Sequence, residues 1–208
     1  KDLKANLLPP SVTHGLNPRM MPPSQEKLRQ LFTSLGQSYN EVIAIFLSSQ
    51  LSDMVESARE ACAAVAGRVS VQLIDSNTTS VGLGLLVQAA AEAAAQGIHA
   101  SEIERIVRAM IPRIYMVLCT PGLSYLYRSG IIDPAQATVG EMLGLLPLFA
   151  MEEGHLTPLE KVRTHRNVVE FFQEFLDEFD RLKHIALLQG VQSNTQESRL
   201  LREHAETL

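Results

Sequence analysis

Two clusters of hydroxyl side chains are the chain's first candidates for chemistry. Ser48, Ser49 and Ser52 form one, and Ser76, Thr78, Thr79 and Ser80 form the other, with Asp75 just ahead of it. Three chemistries suit such residues. A serine nucleophile needs a base placed to take its proton, and neither cluster has a histidine close by or a Gly-x-Ser-x-Gly elbow. Hydroxyls and helix amino-terminal amides can instead converge on an anion. The same residue types also serve as helix caps and turn formers with no ligand at all. The nucleophile lacks its base; the other two readings stay open, and no catalytic residue is assigned.

Two further motifs carry weaker signals. Gly82-Leu-Gly84 resembles part of a nucleotide loop but has no third glycine, and the chain has no Walker lysine. Gly82 is read as a point of close helix packing or of backbone approach to a ligand. Lys161-Val-Arg-Thr-His-Arg166 is a basic strip, either a solvated face or a contact for a protein partner or anion.

The elements that must position the hydroxyls are legible from periodicity. Val42–Leu47 and Val69–Ile74 read as buried strands, each ending in serines, and ligands lodge outside the carboxyl ends of strands in open α/β sheets. Helices are predicted over Ser24–Leu35, Ser52–Ala66, Gly82–Gln96 and from Ser101 to Pro112. Gly36 is expected as a left-handed cap, and Asp53 with Glu56 as a capping box. This β-α-β-α order produces a parallel sheet. From Ile114 the texture changes. The pattern predicts a strand at Ile114–Cys119, a short turn at Leu123–Tyr127 and a helix at Ala135–Leu145. A hairpin of Pro147–Met151 and His155–Val162 follows, turning at Glu152-Glu-Gly154. A helix at Thr164–Phe179, whose apolar face is Val168, Phe171, Phe172, Phe175 and Phe179, leads to a strand at His184–Leu188 and a helix at Asn194–Glu206.

The fold class is therefore α/β in two lobes: residues 1–112 as a parallel-sheet three-layer lobe, and residues 113–208 as a mixed-sheet α/β lobe. The stretch before Ser24 is rich in Pro, Asn and Gly and reads as extended connector, with further sequence expected ahead of it.

Composition removes several function classes. The chain has 208 residues, 46% of them hydrophobic, so it can bury a real core. A formal net charge of −5 speaks against nucleic acid. No stretch is apolar and long enough to predict membrane insertion. Cys62 and Cys119 make neither a disulfide framework nor a metal set, and are expected as plain buried thiols in a reducing, cytoplasmic setting. The six histidines show no metal-ligand spacing, so neither metal nor cofactor is expected.

Five segments, in order, resemble the DegV family of bacterial fatty-acid-binding proteins. Ser48-Ser-Gln-Leu-Ser52 matches the start of that family's Ser-Ser-x-Leu-Ser-Gly-Thr motif, and Ile74-Asp-Ser-Asn-Thr-Thr-Ser-Val-Gly-Leu-Gly84 its second-strand signature. Leu126-Tyr-Arg-Ser-Gly-Ile-Ile132, Leu143-Gly-Leu-Leu-Pro-Leu148 and Glu153-Gly154 with Glu160-Lys-Val-Arg-Thr164 continue the match, which runs from about Pro18 to the end. The resemblance implies a carrier, not an enzyme, that holds one long-chain fatty acid between two lobes and presents its carboxylate to a separate fatty acid kinase. Burial of each methylene is worth roughly 0.8 kcal/mol, about 10 kcal/mol gross for a long acyl chain. A desolvated carboxylate needs charge-assisted hydrogen bonds. Carried over, Ser48 or Ser49 supplies a hydroxyl there, and Ser76, Ser80 and Gly82 line the same crevice.

The chain also departs from the family pattern. Where the family has Pro-Thr-Thr-Ser-Gln-Pro, it has Pro18-Arg-Met-Met-Pro-Pro23, so Arg19 is expected to replace lost hydroxyls as a charge for the carboxylate. Asp53-Met54 replaces Gly-Thr, and Ile131 stands where the family arginine linked to kinase docking belongs. An opening Thr-Asp-Ser strand and a closing His-x-Gly-Pro-Gly segment have no counterpart, so truncation at both ends is expected. The alternative is a degenerate member that binds no fatty acid and acts through protein contacts or on another small anion.

Overall fold

The computed structural model describes residues 21–120, 123–128, 130, 132–188 and 196–208. Its first part is built around two parallel strands. Helix α1 (Gln25–Leu35) is capped by the Ser24 hydroxyl, which accepts from the Lys27 N–H at 3.4 Å. Strand β1 (Glu41–Phe46), helix α2 (Met54–Val65), strand β2 (Ser70–Asp75), helix α3 (Ser80–Ala95) and helix α4 (Ala100–Met110) follow, and a 3-10 turn at Ile111–Arg113 closes the series.

β1 and β2 pair in register from Glu41↔Ser70 to Phe46↔Asp75. Because strand side chains alternate between faces, the two faces separate cleanly. Val42, Ala44, Phe46, Val71 and Leu73 pack with Leu28 and Phe32 of α1 and with Ala58, Ala61 and Val65 of α2. Ile43, Ile45 and Ile74 pack with Leu86, Ala90 and Ala93 of α3 and with Ile103 and Val107 of α4. Both faces are covered, which is why the strand sequences are nearly unbroken apolar runs.

Gly36 is not a left-handed cap: its φ is −65°. It is required for space instead, since a Cβ there would lie 2.9 Å from the Val69 Cβ. The Asp53–Glu56 capping box does not form either. Asp53 makes no side-chain cap bond, and the Ser52 hydroxyl one residue earlier accepts from the Met54 N–H at 3.3 Å.

The second part holds three strands in the order β3 (Val117–Cys119), β4 (Leu146–Glu152), β5 (His155–Val162), with helices α5 (Ser124–Arg128) and α6 (Pro134–Met142) between β3 and β4. Among the described residues this sheet is antiparallel, where a mixed one was expected. The strand expected at His184–Leu188 does not form. Ile185 packs instead, with Leu182, against Val169, Leu176 and Leu201, while Leu188 is exposed. Helix α7 (His165–Asp177) is capped by the Thr164 hydroxyl and covers one face of β4 through Val168, which meets Leu148 and Val162. Leu123, Leu126 and Ala137 cover the other face through Phe149. Helix α8 (Gln196–Ala205) packs on α7 through Leu201. The β4–β5 hairpin turns on Glu153 (φ 49°) and Gly154 (φ 87°), the pair of left-handed residues a two-residue type I′ turn demands.

Candidate functional site

The in-register pairing of Phe46 with Asp75 brings the loops after β1 and β2 out side by side. Two backbone hydrogen bonds stitch them: Ser48 N–H to the Thr78 carbonyl at 2.9 Å, and Ser76 N–H to the Phe46 carbonyl at 3.0 Å. The carboxylate of Asp75 accepts from the Ser49 N–H at 3.2 Å and from the Asn77 N–H at 3.0 Å. The two predicted hydroxyl clusters are therefore one site.

Within it the hydroxyls differ sharply. Ser48 is 0% exposed. Its Oγ donates to the Gly154 carbonyl at 2.7 Å and accepts from the Gln50 N–H at 3.1 Å. Ser48 thus joins the first strand end to the tip of the β4–β5 hairpin, 106 residues away. Gly154 is held there twice over, by its left-handed φ and because a Cβ would sit 2.5 Å from the Ser48 Oγ. Ser76, also 0% exposed, donates to the Thr78 carbonyl at 3.1 Å and accepts from the Thr78 N–H at 3.3 Å, a closed local turn. Ser49 and Ser80 are exposed.

One residue stands apart. Thr78 is 3% exposed, and its Oγ1 has no hydrogen-bond partner. It lies against the first turn of α3: a Cβ on Gly82 would be 2.7 Å from this oxygen and 2.9 Å from the Ile114 Cγ2. Gly82 therefore has a packing reason of its own, while Gly84 faces open space. The amino-terminal residue before α3, Thr79, makes no side-chain cap bond, and the first turn carries no acidic side chain. Asn77 (φ 50°) and Ser80 (φ 54°) both hold left-handed backbone, which is uncommon outside glycine and concentrates at functional sites. Sequence reasoning grouped Thr78 with its neighbours; nothing local marks its hydroxyl as the unpartnered one.

One residue past Ile114, the exposed Tyr115 stacks on Phe179 with ring centroids 4.7 Å apart, and Phe179 meets Phe175 at 5.2 Å. These three rings form an aromatic row that joins the segment after α4 to α7 and the residues following it. Arg19, Met20 and Ile131 lie outside the described residues; Met21 is exposed. Both cysteines are free and only half-buried, and burial pushes each thiol pKa up, away from thiolate chemistry. Lys161, Arg163, His165 and Arg166 of the basic strip are solvent-exposed. Among the described residues no three His, Cys, Asp or Glu side chains gather to hold a metal, and no helix is long and apolar enough to cross a membrane.

Fold and strand ends together define an α/β architecture: two parallel strands whose hydroxyl-bearing carboxyl ends are tied to the tip of an antiparallel hairpin. Residues 6–206 match the family model described as an uncharacterised protein of the DegV family, and the chain belongs to that family. It is 30% identical over 175 residues to a DegV domain-containing protein of Caldanaerobacter subterraneus subsp. tengcongensis, covering 84% of this chain and 62% of that one. To Protein DegV of Bacillus subtilis it is 30% identical over 166 residues, covering 79% and 59%. The chain thus spans about six-tenths of the length of these curated relatives.

Among solved structures it is similar to a DegV family protein from Thermus thermophilus described by its fatty acid binding. The TM-score is 0.69 at 26% identity, over 81% of this chain and 60% of that one. It is also similar to DegV of Bacillus subtilis, described as a fatty acid binding protein, with a TM-score of 0.65 at 29% identity over 75% and 55%. A Streptococcus agalactiae family member shares the fold, with a TM-score of 0.81 at 20% identity over 95% and 71%.

Proposed function

We propose that this protein binds one long-chain fatty acid, with the carboxylate at the ends of β1 and β2 and the acyl chain running toward the second sheet. The observation that carries the reading is the likeness to two solved structures described as binding fatty acids, over three-quarters or more of this chain. The site supports it. The first turn of α3 offers amide donors without a side-chain cap, at the positive end of a helix dipole. The Tyr115–Phe179–Phe175 row is apolar surface of the kind methylenes pack on.

The protein is a carrier rather than an enzyme on this reading. The hydroxyls of Ser48 and Ser76 bond to backbone carbonyls and amides, not to a base. Ser49, Ser80 and Arg19 are its remaining head-group candidates, Gly82 lines the crevice, and the lobes divide at 112/113. It works in the cytoplasm and hands the carboxylate to a fatty acid kinase, with Ile131 altering that docking surface. Native mass spectrometry of protein purified from cells tests the reading: a co-purified mass of fatty-acid size is expected. An empty chain that also refuses added oleate rejects it.

A further inference from the structure

Of all the polar side chains around the strand ends, Thr78 alone is buried with its hydroxyl unengaged. Buried polar groups almost always find partners, because leaving one unpaired is costly. The hydroxyl lies against the first turn of α3, whose N–H groups receive no side-chain cap. Glycine at 82 keeps that approach clear, since a Cβ would crowd the same oxygen. The backbone on both sides, at Asn77 and Ser80, is left-handed and therefore held away from its resting geometry. A hydroxyl donor without a partner and a helix turn without a side-chain cap thus lie close together, and both are groups that an anionic oxygen satisfies.

We propose that Thr78 is the residue that selects an ionised carboxylate over a neutral head group: its Oγ1–H donates to one carboxylate oxygen while the α3 amides hold the charge. This rests on the fatty-acid reading above. A neutral alcohol gains little from the same donors, because hydrogen bonds to a charged partner are the stronger kind.

The test compares the full delipidated chain with Thr78→Val and Thr78→Ser, titrated with palmitate and with hexadecanol, alongside thermal unfolding without ligand. Wild type is expected to prefer palmitate at least tenfold. Thr78→Val is expected to lose palmitate affinity about tenfold, to keep hexadecanol affinity within about twofold, and to unfold at an equal or higher temperature. Thr78→Ser should restore the preference. A Thr78→Val chain that binds palmitate as wild type does overturns the proposal and leaves the fatty-acid reading standing. So does one that loses both ligands equally while melting lower, which would make Thr78 merely structural. A wild-type chain that binds neither ligand sinks the fatty-acid reading and this one with it.

Discussion

The two strand ends lie side by side, carry the same kinds of side chain and behave in opposite ways. After β1, the Ser48 hydroxyl both donates and accepts, sealed under the hairpin tip at Gly154. After β2, Thr78 has none for its hydroxyl, and the residues around it sit in left-handed backbone before an uncapped helix. A satisfied buried hydroxyl rigidifies a structure; an unsatisfied one destabilises it until something arrives. The first strand end is therefore a structural tie, and the second is the half to which the proposal above assigns the ligand.

Substitutions can break that division, starting with the tie. Gly154→Ala forces a side chain into left-handed backbone and onto the Ser48 Oγ, and should cost about 3 kcal/mol by denaturant unfolding. A variant as stable as wild type would mean the hairpin is not seated there. Ser48→Ala leaves the Gly154 carbonyl and the Gln50 N–H unpaired, a loss of about 2 kcal/mol with no ligand added. If stability holds and only fatty-acid affinity falls, Ser48 belongs to the ligand half instead. Asp75→Ala, at the end of β2 but tying both loops together, removes the acceptor for Ser49 and Asn77 N–H at a part-exposed position, so about 1 kcal/mol is expected in the same assay.

Beyond Asp75, the second strand end should be almost indifferent. For Ser80→Gly, relief of the left-handed strain and the extra backbone entropy of glycine roughly offset, leaving a change within about 0.5 kcal/mol. A clear loss of stability there would show that the Ser80 side chain holds the fold.

Much of this was legible in the sequence because it is periodic or local. The runs Val42–Leu47 and Val69–Ile74 are too apolar for half-exposed strands, so they announced a covered parallel pair and hence a strand-end site. Glu153-Gly154 announced its own turn, since a two-residue hairpin needs left-handed backbone. What was not legible depends on who the neighbour is. His184–Leu188 has a strand-like composition, but its apolar residues found helices rather than a sheet edge. Gly36 looked like a helix cap, and only Val69, brought up by β2, explains it. A serine reads the same as cap, ligand group or tie, so the bond from Ser48 to a carbonyl in a distant hairpin could not be seen from its surroundings. Thr78 is harder still, because what distinguishes it is a bond it does not make.

The separation of 106 residues between Ser48 and Gly154 also bears on how the chain assembles. β1 and β2 meet across a short crossover, and β4 and β5 across a two-residue turn. Such contacts close small loops and form early, whereas the Ser48–Gly154 bond closes a very long one and waits until both sheets exist. On that basis it is expected to form late, so Ser48→Ala should speed unfolding more than it slows refolding in a chevron measurement. The hairpin tip is then a determinant of how long the two sheets stay joined rather than of how fast they are made.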